Sequence, residues 1–351
     1  MTLSPSHPLV TGLTANAPLV RAARGERPET TPVWFMRQAG RSLPEYRELR
    51  AGGDMLAACL DPAMASEITL QPVRRHGVDA AVFFSDIVIP VLLAGVDVKI
   101  VPGRGPVFAD PIRTPEQVAA LPTLTDEALE PIREAVRLTV AELGSTPLIG
   151  FGGAPFTVAS YMVEGGPSKD QLRARAMMHA DPATWDALMS WVADTTSRFI
   201  RAQAEAGASV VQLFDSWAGS LSRTDYAANV LPYSARVLAS LEDLGVPRIH
   251  FGLDLAPSLD LLPAAGSDVV GVDWRTPLDR AAELTSHAVP LQGNIDPALL
   301  GAGDEALYAH VDEVLERGKA APAHILNLGH GVPPETDPTV LTRLVEYVHA
   351  R

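Results

Sequence analysis

Cysteine occurs once in the 351 residues, at Cys59, which excludes a disulfide within the chain and any zinc site built on two or four thiolates. Cys59 sits in the helical-looking Met55-Leu56-Ala57-Ala58-Cys59-Leu60, where a thiol is ordinarily an inert core side chain rather than a nucleophile. Lysine is confined to Lys99, Lys169 and Lys319, so the positive charge is carried by arginine. A net charge of -14 and a pI near 5.0 argue against a nucleic-acid face or a polybasic membrane patch. No run reaches the roughly 18 apolar residues of a membrane span. Met1 to Pro28 is rich in Pro, Ser, Thr and Ala and lacks the basic-then-apolar order of a signal peptide, so a cytoplasmic protein is expected. No Gly-x-Gly-x-x-Gly follows the first apolar run, against an open dinucleotide-binding sheet, and Ser216 lacks a Gly-x-Ser-x-Gly elbow.

What the chain does have is 47% hydrophobic residues, enough for a sizeable core, and an alternation of short apolar runs with longer amphipathic segments, the pattern of βα units. A loose arm over residues 1–15 and a short helix near Ala17 to Arg24 precede the runs. These are Val33 to Arg37, Asp79 to Phe84, Pro147 to Phe151, Ala208 to Phe214, Arg248 to Phe251, Asp268 to Val272, Ala288 to Gln292 and His324 to Leu328. Val96 to Val101, followed by Pro102 and Gly103, reads as a hairpin after the second run, and Thr114 to Glu142 as a polar surface excursion. Nearly every run ends in Gly, Asp, Ser, Asn or His. Polar groups gathered at strand C-termini are the mark of a barrel mouth. The expectation is therefore one α/β domain over 16–351, a (β/α)₈ TIM-type barrel with its cleft at the C-terminal ends of the strands.

Those ends supply Arg37, Arg41, Asp86, Tyr161, Asp215, Ser216, Asp273, Asn294 and His330. Two arginines, a histidine, a tyrosine and a central acid suit a polyanionic organic ligand. Arg37 and Arg41 flank a glycine-broken turn after an apolar run, where a charge is costly without a partner. Arg47 reads as a helix-surface residue partnered by Glu45 or Glu48. Asp86, between apolar residues, either caps the following turn or binds donors on a ligand. His330 lies between Gly329 and Gly331, which let the backbone bring its ring close to a ligand. Tyr161 could pack a helix against the barrel, and Glu164 and Asp215 could pair with arginines. The histidines have no metal-site spacing, and none is assigned a metal.

Pro32 to Tyr46, with Met36-Arg37-Gln38-Ala39-Gly40-Arg41 at its heart, resembles the signature of the uroporphyrinogen decarboxylase family. So do Gly150-Phe151-Gly152-Gly153-Ala154-Pro155-Phe156-Thr157, Tyr161-Met162-Val163-Glu164-Gly165, Phe214-Asp215-Ser216-Trp217-Ala218-Gly219, Gly293-Asn294-Ile295-Asp296-Pro297 and Asn327-Leu328-Gly329-His330-Gly331. The resemblance runs from about residue 16 to the C-terminus. Ser42, where an aromatic residue is usual, and Val332, where isoleucine is common, depart from it. It implies a cofactor-free, metal-free carboxy-lyase of heme biosynthesis, commonly a homodimer, that removes carbon dioxide from the four acetates of uroporphyrinogen III to give coproporphyrinogen III. It further implies that Asp86 accepts hydrogen bonds from the pyrrole N–H groups and that Arg37 binds the reacting acetate and delivers protons. Gln38, Ala39, Gly40, Arg41, Tyr161, Ser216, His330 and Arg50 would hold the remainder of the substrate, with Tyr161 also catalytic, and Phe151 and the glycines would supply a flat face for the macrocycle. The alternatives are a corrinoid-linked methyltransferase of the same superfamily, disfavoured by the lack of a cysteine at any strand end, and a non-catalytic porphyrinogen-binding protein.

Overall fold

The computed structural model describes residues 2–351. Its centre is a parallel sheet of β1 (Ala81–Val82), β4 (Leu148–Gly153), β5 (Val210–Asp215), β6 (Arg248–Gly252), β7 (Val269–Gly271), β8 (Leu291–Gln292) and β9 (His324–Ile325), hydrogen-bonded in that order. The remaining two strands, β2 (Val98–Val101) and β3 (Gly105–Phe108), pair antiparallel as the expected hairpin. Each sheet strand returns through helical structure to pair in parallel with the one before it, so all the C-terminal ends face one way.

The sheet is strongly curled. Gln292 Nε2 on β8 donates to Gln212 Oε1 on β5 at 3.0 Å, although these strands are three places apart and would lie about 14 Å apart in a flat sheet. Trp34 Nε1 extends the chain by donating to Gln292 Oε1 at 3.0 Å. These side chains line the concave face. The opposite face is covered by helices, of which Pro182–Ala206 approaches β4 most closely. A Cβ on Gly152 would stand 2.8 Å from Ile200 Cγ1, and one on Gly150 3.1 Å from Gln203. These two glycines therefore admit a helix.

The run Val33 to Arg37 does not form a strand. Only Val33 bridges to the sheet, through Leu326. Three of its N–H groups are spent on side chains instead of a ladder: Val33 N–H donates to Asp79 Oδ2 at 2.8 Å, Phe35 N–H to Gln38 Oε1 and Met36 N–H to Asn327 Oδ1, each at 3.0 Å. Pro32 has no N–H to offer. Main-chain contacts from Pro32 and Trp34 to Leu326, and from Asp79 to Val33, nevertheless place the segment between the two outer strands β9 and β1. The structure is thus a curled seven-stranded TIM-like sheet with an irregular segment between its edges.

Two other expectations change. Thr114 to Glu142 is not a polar excursion: Glu130–Leu143 is an amphipathic helix that buries Ile132, Ala135, Val136 and Thr139 and packs on Pro62–His76. Within the expected arm, Pro8–Thr11 is a helical turn. His7 Nε2 meets Ala204 O at 2.9 Å and Thr14 Oγ1 meets Ser209 Oγ at 2.8 Å, both buried. No helix among the described residues is long and apolar enough to cross a membrane.

Burial makes the fold sensitive to acid. Buried His324 and His76 are both lowered from 6.5 to about 4, chiefly by desolvation of the charged ring. The folded state thus favours neutral imidazole, so this stability is complete above the unfolded value and is lost as pH falls from 6.5 toward 4. The lowered carboxylates, such as Glu45, act only below their ordinary value of 4.5. Thermal melts taken at about pH 7.5 and about pH 5.5 should differ by about 1–3 kcal/mol of stability, lower in acid; coincident melts would overturn the assignment.

Candidate active site

The C-terminal ends of the strands bring the predicted residues to one side. Asp86 lies four residues beyond β1 in a turn that it caps itself, its Oδ1 accepting from Val88 N–H at 3.0 Å. That is the first of the two roles left open for it. Oδ2 has no partner among the described residues. Apolar surroundings raise the pKa of Asp86, an effect only partly offset by the Val88 N–H and by the positive charge of Arg37.

Tyr161 stands in the last turn of the helix Pro155–Glu164. Its phenol is pushed up to about 12, first by desolvation, then by the charge of Asp86, with Arg37 opposing. Asp86, Arg37 and Tyr161 therefore lie within electrostatic reach of one another. At neutral pH the phenol is protonated and acts as a hydrogen-bond donor, not a base.

Arg37 and Arg41 are exposed. Neither side chain makes an ion pair or hydrogen bond within the described protein, so both forks are available to an anion. Arg37 adopts φ 61, an uncommon backbone region for a side chain of this size. It lies against the loop carrying His330: a Cβ on Gly331 would collide with Arg37 Cδ, and Val332 N–H donates to Met36 O at 2.8 Å. Gly329 is equally constrained, since a Cβ there would collide with the backbone N of Trp274. The two glycines thus let His330 be wedged between Trp274 and Arg37. The His330 ring meets the Trp274 indole edge-on at 6.3 Å. Desolvation, Arg37 and Arg275 lower its pKa, which leaves a neutral imidazole able to donate or accept.

The remaining predicted residues have varied surroundings. Ser216, directly after β5, is half-buried, and Phe151 meets Phe214 edge-on at 5.4 Å. Gln38 is fully buried and committed to the backbone, accepting from Phe35 N–H and donating to Ala80 O, each at 3.0 Å. Ala39 and Gly40 are partly exposed beside it. Arg50 is tied down by hydrogen bonds to Tyr46 Oη at 3.0 Å and Gly53 O at 2.7 Å. Glu45 pairs with Arg75 at 2.6 Å and not with Arg47. Glu164 accepts from the N–H groups of Arg173 and Ala174. Asp273 and Asn294 brace loops: Asp273 accepts from Asp254 N–H and Arg275, while Asn294 Nδ2 donates to the carbonyls of Asp273 and Thr276. Buried Ser42 has no partner for its hydroxyl among the described residues. Cys59 is fully buried, and desolvation pushes its thiol pKa up, as expected of an inert core side chain.

Sequence reasoning missed the aromatic walls. Trp217 stacks on Tyr161 with ring centres 3.8 Å apart and planes at 23°. Trp274 carries the Arg275 guanidinium 3.9 Å from its ring centre. The only available signal was adjacency, since each tryptophan directly follows a polar strand-end residue. Among the described residues no group of three or more His, Cys, Asp or Glu side chains could hold a metal ion. Depressions of about 490 and 560 Å³ lie elsewhere, lined by residues such as Arg248 and Asp268 or Arg27 and His324 at the N-terminal ends of strands. Neither contains Arg37, Asp86, Tyr161 or His330.

Fold and cleft together define a TIM-like α/β protein with an arginine-bearing mouth around one carboxylate. Residues 14–351 match the family model described as uroporphyrinogen decarboxylase (URO-D). The chain is 65% identical over 339 residues to the uroporphyrinogen decarboxylase of Arthrobacter sp. (strain FB24), covering 97% of this chain and 98% of that one. It is 59% identical to that of Leifsonia xyli subsp. xyli, covering 99% and 98%. Among solved structures, a methyltransferase from Methanosarcina mazei superposes with TM-score 0.80 at 17% identity over 96% of this chain and 98% of that one, a likeness of fold alone. The chain belongs to the uroporphyrinogen decarboxylase family.

The contact between Gly331 and Arg37 can be tested. In Gly331→Ala the new methyl meets the middle of the Arg37 side chain, at Cγ, Cδ and Nε, so stability should fall by about 1–3 kcal/mol, while the displaced guanidinium should lower turnover about tenfold or more. Unchanged turnover in a variant that retains its melting temperature would show that the position of Arg37 is unimportant.

Proposed function

We infer that this chain is a carboxy-lyase that decarboxylates the four acetate side chains of uroporphyrinogen III to methyls, yielding coproporphyrinogen III and carbon dioxide in heme biosynthesis. The observation that carries this reading is the near-full-length identity to decarboxylases of that name. The arrangement of Asp86, Arg37 and Tyr161 supports the chemistry.

Loss of carbon dioxide leaves an electron pair that must be delocalised. A pyrrole protonated on the ring carbon bearing the acetate accepts that pair into its own cationic π-system, so the substrate provides the electron sink often supplied by a cofactor. The protein's task is then orientation and charge stabilisation. Asp86 would accept hydrogen bonds from the pyrrole N–H groups. These donors favour the carboxylate form that desolvation disfavours, and the carboxylate in turn stabilises the cationic intermediate. Arg37 would bind the reacting acetate and deliver protons through a relayed water, because a guanidinium is a poor acid. Tyr161, protonated, would donate to a substrate carboxylate; Arg41, Ser216 and His330 would hold others, with Arg50 at the periphery. The buried amide of Gln38 suits support of the turn, with Ala39 and Gly40 giving the substrate access to it, and Phe151 would offer an apolar surface. The Pro32–Arg37 segment would complete the barrel as its eighth stave. A cytoplasmic homodimer, working without metal or cofactor, completes the reading.

The direct experiment is anaerobic incubation with uroporphyrinogen, followed chromatographically for coproporphyrinogen; its absence would overturn the assignment. Asp86→Asn should keep the fold and lose about a hundredfold or more of turnover through lost charge stabilisation. Near wild-type activity in that variant would remove Asp86 from its role. Because substrate carboxylates meet exposed guanidinium groups on a chain of net charge -14, KM should rise when salt increases from about 50 to about 500 mM. A KM indifferent to salt would contradict the electrostatic account of binding.

A further inference from the structure

Asp215 is fully buried at the end of β5, and the mechanism gives it no contact with substrate. It pairs with no arginine. Its Oδ1 accepts a hydrogen bond of 2.8 Å from Thr157 Oγ1, while Oδ2 has no hydrogen-bond partner among the described residues and faces His250 Nε2 at 3.9 Å. The neighbouring hydroxyl of Tyr226, a residue whose pKa is raised by burial and by the charge of Asp215, is also without a partner there. Burying an acid with so few hydrogen bonds costs stability, and the geometry on its Oδ1 side shows where that cost is spent.

Thr157 Oγ1 both donates to Asp215 and accepts from Trp217 N–H at 3.2 Å. This hydroxyl joins the first turn of the helix Pro155–Glu164 to the loop after β5. Ala154 N–H, donating to Phe214 O at 2.8 Å, adds a second tie at the same junction. Thr157 and Tyr161 are four residues apart and share a face of the helix. Trp217, held at its backbone by Thr157, lays its indole on the Tyr161 ring at 3.8 Å. Ser216 lies between Asp215 and Trp217 in the chain.

We propose that Asp215 is a positioning residue that acts through the Thr157 hydroxyl to set the Tyr161–Trp217 stack, and with it the direction of the Tyr161 phenol, relative to Asp86 and Arg37. The proposal rests on the role given to Tyr161 above. Asp215 orients Thr157 Oγ1, the oriented oxygen fixes the Trp217 backbone, and the indole limits rotation of the Tyr161 ring.

The test is made on the full chain with Thr157→Val, which removes the hydroxyl at nearly constant shape. If leaving Asp215 unpaired prevents folding, Thr157→Val with Asp215→Ala, in which neither group remains unpaired, replaces it. Two readouts are taken: near-UV circular dichroism of the aromatic stack, assigned by its loss in Trp217→Phe, and kcat and KM with uroporphyrinogen. The stack signal should weaken, and kcat should fall about ten- to hundredfold at a less affected KM. Thr157→Ser should restore both. In a Tyr161→Phe background, Thr157→Val should cost little more, because both changes disturb one unit. An unchanged stack signal, or losses that multiply fully in the double variant, would overturn the proposal. If Tyr161→Phe alone turns over normally, the role of Tyr161 fails, while the circular dichroism of Thr157→Val and of Asp215→Ala still decides separately whether Thr157 and Asp215 hold the stack, an unchanged signal in Asp215→Ala overturning the role of Asp215.

Discussion

The parallel pairing of seven strands, curled until Gln212 on β5 meets Gln292 on β8, is the constraint on which the rest depends. Parallel pairing sends every C-terminal end the same way, and curling turns those ends toward a common mouth. Without the curl, residues separated by hundreds of positions, such as Arg37 and His330, would not share a wall. The Pro32–Trp34 segment matters for the same reason. It lies between β9 and β1 through a few main-chain bonds and delivers Arg37 to the rim. Its side-chain hydrogen bonds, which prevent a regular strand, also set the turn on which Arg37 and Arg41 stand.

Electrostatics explains the composition of the mouth. The chain is strongly acidic, and most of its arginines are neutralised by Asp or Glu, as in Arg201 with Asp243 or Arg248 with Asp268. Arg37 and Arg41 have no such carboxylate within the described protein. The acid nearest in effect, Asp86, is raised in pKa by its apolar setting and has one oxygen committed to Val88. The desolvated carboxylate is costly in the free protein and becomes favourable when a ligand brings N–H donors, while the exposed guanidinium groups are free to meet the ligand's carboxylates. The average negative field of the chain and the local positive field of the mouth thus coexist, because fields fall off over about 10 Å in salt.

Much of this was legible along the chain. Seven of the eight apolar runs coincide with strands of the sheet, β4, β5 and β6 extending one or two residues past them, and the hairpin after the second lies where it was expected. Val33 to Arg37 misled because a strand-like hydrophobic pattern reports burial on both faces and not the fate of the N–H groups; here Asp79, Gln38 and Asn327 intercept them. Gly150 and Gly152 show a similar limit, since the absence of a side chain does not say which neighbour requires the space. The motifs named Arg37, Asp86, Tyr161 and His330. They could not distinguish Gln38, whose amide is spent on the backbone, from Arg41, whose guanidinium is free.

By itself the sequence determined the family, the parallel α/β class, the polar strand ends and the inertness of the lone thiol, because these follow from local pattern, composition and motif order. The tertiary structure decided which groups meet. Trp217 lies on Tyr161, Gly331 gives way to Arg37, and Asp215 engages Thr157 in place of an arginine. Each of these depends on distances of a few ångströms between distant parts of the chain. Those distances follow from sheet curvature and close packing, which local sequence patterns do not encode.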